Sequence, residues 1–159
     1  MAEMVVVGVD GTADSLGALR AAADLAQNSG ASLVVVFVRH ESPIVAESLG
    51  RGGAEYAMIE TLDEEQNDAR DRAAAALSGR EVDWRFQVAS GDPAAELITA
   101  ARDEHAGAIV VGGRSHGIIG GLIVGSVAQK LIRHSPVSVL VVRDGQAQRL
   151  DAASTAWAV

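Results

Sequence analysis

The sequence predicts an α/β fold: a single domain on an open parallel sheet of five strands, order 3-2-1-4-5, with helices on both faces. Three observations carry this expectation. The runs 4–9 and 32–38 are short and continuously apolar, as parallel strands covered on both faces must be. Such runs alternate along the chain with longer segments of helical period. The run 82–88 (Val-Asp-Trp-Arg-Phe-Gln-Val) is instead apolar on one face only, which places it at a sheet edge. With that strand outermost, right-handed crossovers make strands 1 and 4 neighbours from which the chain departs in opposite directions. A crevice at such a switch point, beyond the carboxyl ends of the strands, is where ligands bind in open sheets.

Each element has a local cause. After strand 1, Asp10-Gly11-Thr12 turns the chain, and Thr12 is the N-cap of a helix running to about Gln27. Leu16, Leu19, Ala22, Ala23 and Ala26 are its buried stripe, and Asn28-Ser29-Gly30 ends it. Strand 2 is followed by a loop from His40 to about Ala54 that holds Pro43 and Gly50-Arg51-Gly52-Gly53. The next helix carries Met58, Ile59, Leu62, Ala69, Ala73, Ala76 and Leu77 and stops near Ser78-Gly79. Beyond strand 3, Asp92 and Pro93 supply the N-cap and an N1 proline for a helix to about Glu104. Residues 108–111 form strand 4, a glycine-rich loop leads to a helix over 126–134, Ser135-Pro136 ends that helix, and 137–142 is strand 5. Residues 1–143 are read as the domain and 144–159, which lack a clear period, as a C-terminal tail.

Composition narrows the function. The 159 residues suffice for one core burying roughly 70% of the unfolded surface. At 48% hydrophobic and 3% aromatic, that core is built of Val, Ala, Ile and Leu. The absence of cysteine excludes a disulfide scaffold and thiolate metal or redox chemistry. His40, His105, His116 and His134 are scattered without ligand spacing, so no metal site is expected on them. A net charge of −8 argues against nucleic acid as a partner. No apolar run reaches the roughly 18 residues that cross a bilayer, and the amino terminus lacks a charged leader, so a cytoplasmic protein without a membrane partner is expected. Between Glu104 and Asp144 there is no acidic residue, while Arg114, Lys130, Arg133 and Arg143 fall inside. Either a buried region is poor in charge, or the region is tuned for an anion.

The stretch from Val110 to Ser126 is the most informative part of the chain. An apolar strand runs into a loop with six glycines and then into a helix. Glycine lets backbone approach a ligand closely, and a helix amino terminus offers unpaired N–H groups with partial positive charge. The combination describes a phosphate cradle. It is not a P-loop: residues 120–126 spell G-x-x-x-x-G-S without the lysine before the serine. No G-x-G-x-x-G follows strand 1, which argues against a dinucleotide.

Over residues 4–143 the sequence resembles the universal stress proteins, in their ATP-binding branch. The resemblance lies in Val9-Asp10-Gly11-Thr12, Gly91-Asp92-Pro93, Ile109-Val110-Val111-Gly112, Gly125-Ser126-Val127 and Ser135-Pro136-Val137 through Val142. The family's nucleotide motif is G-x-x-G, nine residues, then G-[S/T]. Gly112, Gly125 and Ser126 match it, Ser115 stands where the second glycine belongs, and Gly117 is nearby but out of spacing. The resemblance implies a Rossmann-like domain of the adenine nucleotide alpha hydrolase type. It implies adenine against the backbone at Val9 and Val38, and Asp10, beside Gly11, near the ribose and metal–phosphate region. It further implies Val111, Gly112 and the following Arg114, Ser115, His116 and Gly117 passing over ribose and phosphates. The N–H groups of Gly125, Ser126 and Val127, with the Ser126 hydroxyl, would hold the terminal phosphates.

Each residue has a plainer reading as well. Asp10 before glycine is a common turn residue. Ser126 and Gln129 spell an S-x-x-Q capping box. Arg114 and His116 are explained equally by solvation. The leading expectation is an ATP-binding, non-enzymatic sensor or regulatory module, with magnesium and at most slow hydrolysis. The alternatives are an interaction dimer that does not bind ATP tightly, for which Ser115 speaks, and binding of another adenine nucleotide such as cyclic AMP. A true hydrolase or kinase ranks below these, because the lysine, paired metal carboxylates and placed base of phosphoryl transfer are missing. Strand 5 (Val137, Val139, Leu140, Val141, Val142) is an apolar edge without a blocking charge, so a homodimer through it is expected, as the resemblance also implies.

Overall fold

A computed structural model describes residues 3–39, 54–113 and 124–143, with side chains in the second helix from residue 59 onward. The loop expected over 40–54, the side chain of Met58, residues Arg114, Ser115, His116 and Gly117, and the tail 144–159 lie outside the described residues. The elements are β1 (Met4–Val9), α1 (Ala13–Ser29), β2 (Ser32–Arg39), α2 (Ala54–Leu77), β3 (Trp84–Ser90), α3 (Pro93–Asp103), β4 (Ala106–Gly112), α4 (Ser126–His134) and β5 (Ser138–Val142). They form one parallel sheet of five strands in the order β3-β2-β1-β4-β5, as the sequence predicts.

The apolar runs of the central strands are explained by two separate cores. Side chains alternate across a sheet. Val5, Val7, Val9, Leu33, Val35, Phe37 and Val110 therefore pack with α1 and α2 on one face. Val6, Val34, Val36, Ile109 and Val111 pack with α3 and α4 on the other. Val6, Val7, Val34, Val35, Val36 and Val110 are fully buried, each worth roughly 1.5–3 kcal/mol over leaving the side chain exposed. At the edge, β3 contains no fully buried residue, and Trp84, Phe86 and Val88 lean on the α1–α2 core.

The helix starts are set by local chemistry. Thr12 caps α1, accepting from the Ser15 N–H, and Gly30 closes it in the left-handed conformation at φ 69°. Asp92 caps α3 through Oδ2, which accepts the Ala95 N–H at 3.0 Å, and Pro93 opens that helix. The Asp92 Oδ1 also receives Lys130 Nζ of α4 at 2.6 Å. That lysine of the acid-free region thus ties two helices together.

Three expectations change. Strand 3 runs 84–90 rather than 82–88, and strand 4 begins at Ala106, two residues before the sequence suggests. Ile59, assigned to the buried stripe of the second helix, is 50% exposed. Among its described side chains, the buried ones of that 24-residue helix lie in its carboxyl half, at Ala69, Ala73 and Leu77, where it faces α1 and β2. Among the described residues no helix is long and apolar enough to cross a membrane.

The feature that matters for function is where pairing stops. The β1–β2 register continues to Val9–Phe37 and the β4–β5 register to Gly112–Val142. Between β1 and β4 it ends at Val7–Val110, so the two central strands part before either is finished. The first turn of α1 lies against the diverging end of β4. A Cβ on Gly112 would stand 3.1 Å from the Asp14 carbonyl oxygen and 3.2 Å from its carbon. Replacing Gly112 by Ala is therefore expected to destabilise the fold by about 1–3 kcal/mol, read from the midpoint of urea unfolding. Asp92→Ala should cost about 1 kcal/mol through the lost cap. Lys130→Met, which removes only the exposed ion pair, should cost under about 0.5 kcal/mol in the same assay.

Candidate functional site

Above the parting of β1 and β4 lies a cleft of about 270 Å³. Its floor is made by the strand ends Gly8, Val9, Val36, Val38, Val111 and Gly112. One wall is the start of α1 with Asp10, Thr12, Asp14 and Ser15; another is Pro93 and Leu97 of α3; the last is Gly125 to Ala128 of α4. Three helices thus begin at one opening, which adds their positive partial charges there.

The α1 wall is a tight hydrogen-bonded turn. The Asp10 Oδ1 accepts the Thr12 N–H at 2.9 Å and the Thr12 hydroxyl at 2.5 Å. Ser15, 5% exposed, donates its hydroxyl to the Thr12 carbonyl at 3.0 Å and accepts the Asp10 N–H at 3.2 Å. Gly11 supplies φ +81°, a left-handed conformation that a side chain would strain. Both readings of Asp10 therefore hold in one place: it builds the turn and it lines the cleft.

The α4 wall is built differently. Gly125 is the N-cap, at φ −58° and ψ 160°, and among the described residues no side chain caps the helix. The S-x-x-Q capping box does not form. The helix begins one residue earlier than that motif requires, so Ser126 is its first helical residue. Gln129 instead donates Nε2 to the Val124 carbonyl at 2.6 Å. The first intrahelical bond runs from the Gln129 N–H to the Gly125 carbonyl, which leaves the preceding amides without a partner in the helix ladder. No acidic residue occupies the first turn, whereas α1 and α3 each carry a side-chain cap and one acid there. The α4 terminus is thus the wall of the cleft without an acidic side chain in its helix start, the kind of terminus that suits an anion.

Of the residues expected from sequence, Val9, Asp10, Val38, Val111, Gly112, Gly125, Ser126 and Val127 come together around this cleft. Gly11 shapes the turn without lining the cleft. The backbone conformation of Gly125 is open to any residue, so its glycine is not explained by φ. Gly112, by contrast, has a packing reason of its own in its approach to Asp14. Sequence reasoning missed Gly8, Asp14, Ser15, Val36, Leu97 and Ala128, and read Thr12 and Pro93 only as helix-start residues. A Cβ on Gly8 would fall 2.9 Å from Leu97 Cδ1, which ties the floor to the α3 wall. Ser15 had a usable signal, since Thr12-x-x-Ser15 places a second hydroxyl three residues after an N-cap. Among the described residues, no group of three or more His, Cys, Asp or Glu could hold a metal ion.

Comparison with known proteins follows the same lines. The model of the universal stress protein family matches residues 1–143. A universal stress protein of Thermus aquaticus is 32% identical over 143 residues, covering 90% of this chain and 100% of that one. Universal stress protein YxiE of Bacillus subtilis is 29% identical over 150 residues, again covering 90% and 100%. Among solved structures, a universal stress protein in complex with cAMP superposes with a TM-score of 0.61 at 29% identity, covering 89% of this chain and 97% of that one.

Proposed function

This chain belongs to the universal stress protein family, and we propose that it is an adenine-nucleotide receptor whose ligand is ATP, carried with magnesium. One observation supports this above the rest: the uncapped start of α4 faces the Asp10 turn across the gap where β1 and β4 part. The gap suits such a ligand. Val9, Val38 and Val111 offer an apolar floor for the base, and the amides of Ser126 and Val127 suit phosphate oxygens. Asp10 and Asp14, on the opposite wall, favour phosphates that arrive with a divalent cation rather than bare. In this reading the protein is a cytoplasmic, nucleotide-dependent sensor of the stress response with at most slow hydrolysis, and no residue is assigned a catalytic role.

Cyclic AMP is the second reading, favoured because a family member of similar sequence is known in complex with cAMP. The two ligands make different demands. A cyclic monophosphate needs fewer phosphate contacts at α4 and no cation.

Dimerisation is proposed on separate ground. β5 is an edge strand with β4 as its neighbour, and Leu140 is 42% exposed. An apolar edge of this kind is protected by pairing, and two copies joined antiparallel through β5 would close it about a two-fold axis.

Titration calorimetry with ATP and magnesium is expected to give one site per chain, and cyclic AMP should compete for it. Absence of heat and of competition with either nucleotide would remove the nucleotide reading and leave the interaction dimer. Gly125→Val should weaken ATP binding by about tenfold or more, some 1.4 kcal/mol, with the melting temperature unchanged. Sedimentation at micromolar concentration should show a dimer; a monomer there would count against pairing through β5.

A further inference from the structure

The turn that carries Asp10 is held from outside as well as from within. A Cβ on Gly11 would stand in open space, with nothing but its own chain neighbours within 4 Å. The Gly11 carbonyl accepts the Nη1 of Arg72 at 2.9 Å, a bond spanning 61 residues of sequence. Arg72 is itself held by Asp68, one helical turn earlier on α2, through Nε at 2.9 Å. The same helix also holds the end of β2: Arg39, next to Val38 of the cleft floor, bonds Gln66 through Nε at 2.9 Å and pairs with Asp63. α2 therefore grips both strand ends on one side of the cleft, although none of its described side chains lines it.

We infer that Arg72 is a positioning residue: its bond to the Gly11 carbonyl fixes the left-handed turn, and with it the place of Asp10 in the cleft. The consequence for ligand affinity rests on the nucleotide reading above; the consequence for the turn does not. A turn with a glycine at φ +81° has alternative conformations at little steric cost. Asp10 and Thr12 bond each other, so they move as a unit if the Gly11 carbonyl is released. The Arg72 guanidinium limits that motion from a helix anchored in the core by Ala69, Ala73 and Leu77. Arg72 is not among the residues that line the cleft, so its effect is on order and not on contact.

The test compares the wild type with Arg72→Met, which keeps the stem and helix propensity but removes the donor. Arg72→Lys restores one donor. Arg80→Met removes the exposed Arg80–Asp24 pair, far from the cleft, as a control for lost ion pairing. Without nucleotide, amide exchange at Thr12, whose N–H bonds Asp10, should be several-fold faster in Arg72→Met, close to wild type in Arg72→Lys and unchanged in Arg80→Met. With ATP and magnesium, Arg72→Met should bind about three- to tenfold more weakly, Arg72→Lys should recover most of this, and Arg80→Met should match the wild type. Unchanged Thr12 exchange in Arg72→Met overturns the inference whether or not nucleotide binds, as does equal acceleration in Arg80→Met. Faster exchange with wild-type affinity overturns its ligand half. A wild type that binds no nucleotide defeats the reading of the cleft instead, and the exchange data still decide the role of Arg72.

Discussion

The early end of the β1–β4 ladder is the constraint on which the rest of the site depends. Its cause is topological. β1 sends the chain over one face of the sheet and β4 over the other, so no helix can follow both strands past Val7 and Val110. The two strands then continue with different partners, β1 with β2 and β4 with β5. Backbone that would have paired across the middle opens a gap instead. Helices that begin at the strand ends turn their donor ends toward it. A cleft at which helices begin is thus the product of strand order before any particular side chain is considered.

Side chains decide what kind of cleft it is. α1 and α3 spend their amino-terminal groups on their own caps, Thr12 and Asp92. α4 does not, because its cap position holds glycine. That asymmetry sets the helix-start amides of one wall against the acidic side chains of Asp10 and Asp14 on the opposite one. The Lys130–Asp92 pair shows how near a positive charge comes without contributing: it is neutralised by the cap of the neighbouring helix.

Much of this could be read from residues alone, and the limits have physical reasons. Continuous apolar runs identified the buried strands because both faces of the sheet are covered. Thr12 and Asp92 were visible as caps because an oxygen-bearing side chain before an apolar period has few other roles. The bounds of β3 were misplaced by two residues, and a period-2 pattern cannot detect a shift of two, since every side chain keeps its face. Ile59 was misassigned because periodicity reports the face of a helix and not where that helix loses its neighbours. The grip of Arg72 on Gly11 was beyond reach: a bond between residues 61 apart leaves no trace in local pattern. Ser126 and Gln129 satisfied a capping rule that geometry applied one position away.

Gly112 has a consequence of a different kind. In a ligand-centred account its missing side chain is space for a ligand, yet the nearest atoms that its side chain would meet belong to Asp14. A methyl group there pushes on the start of α1, and the start of α1 carries the Asp10 turn. Position 112 is therefore floor and lever at once: bulk added there presses on the wall that carries Asp10. A substitution there would disturb the alignment of two backbones as well as the floor between them.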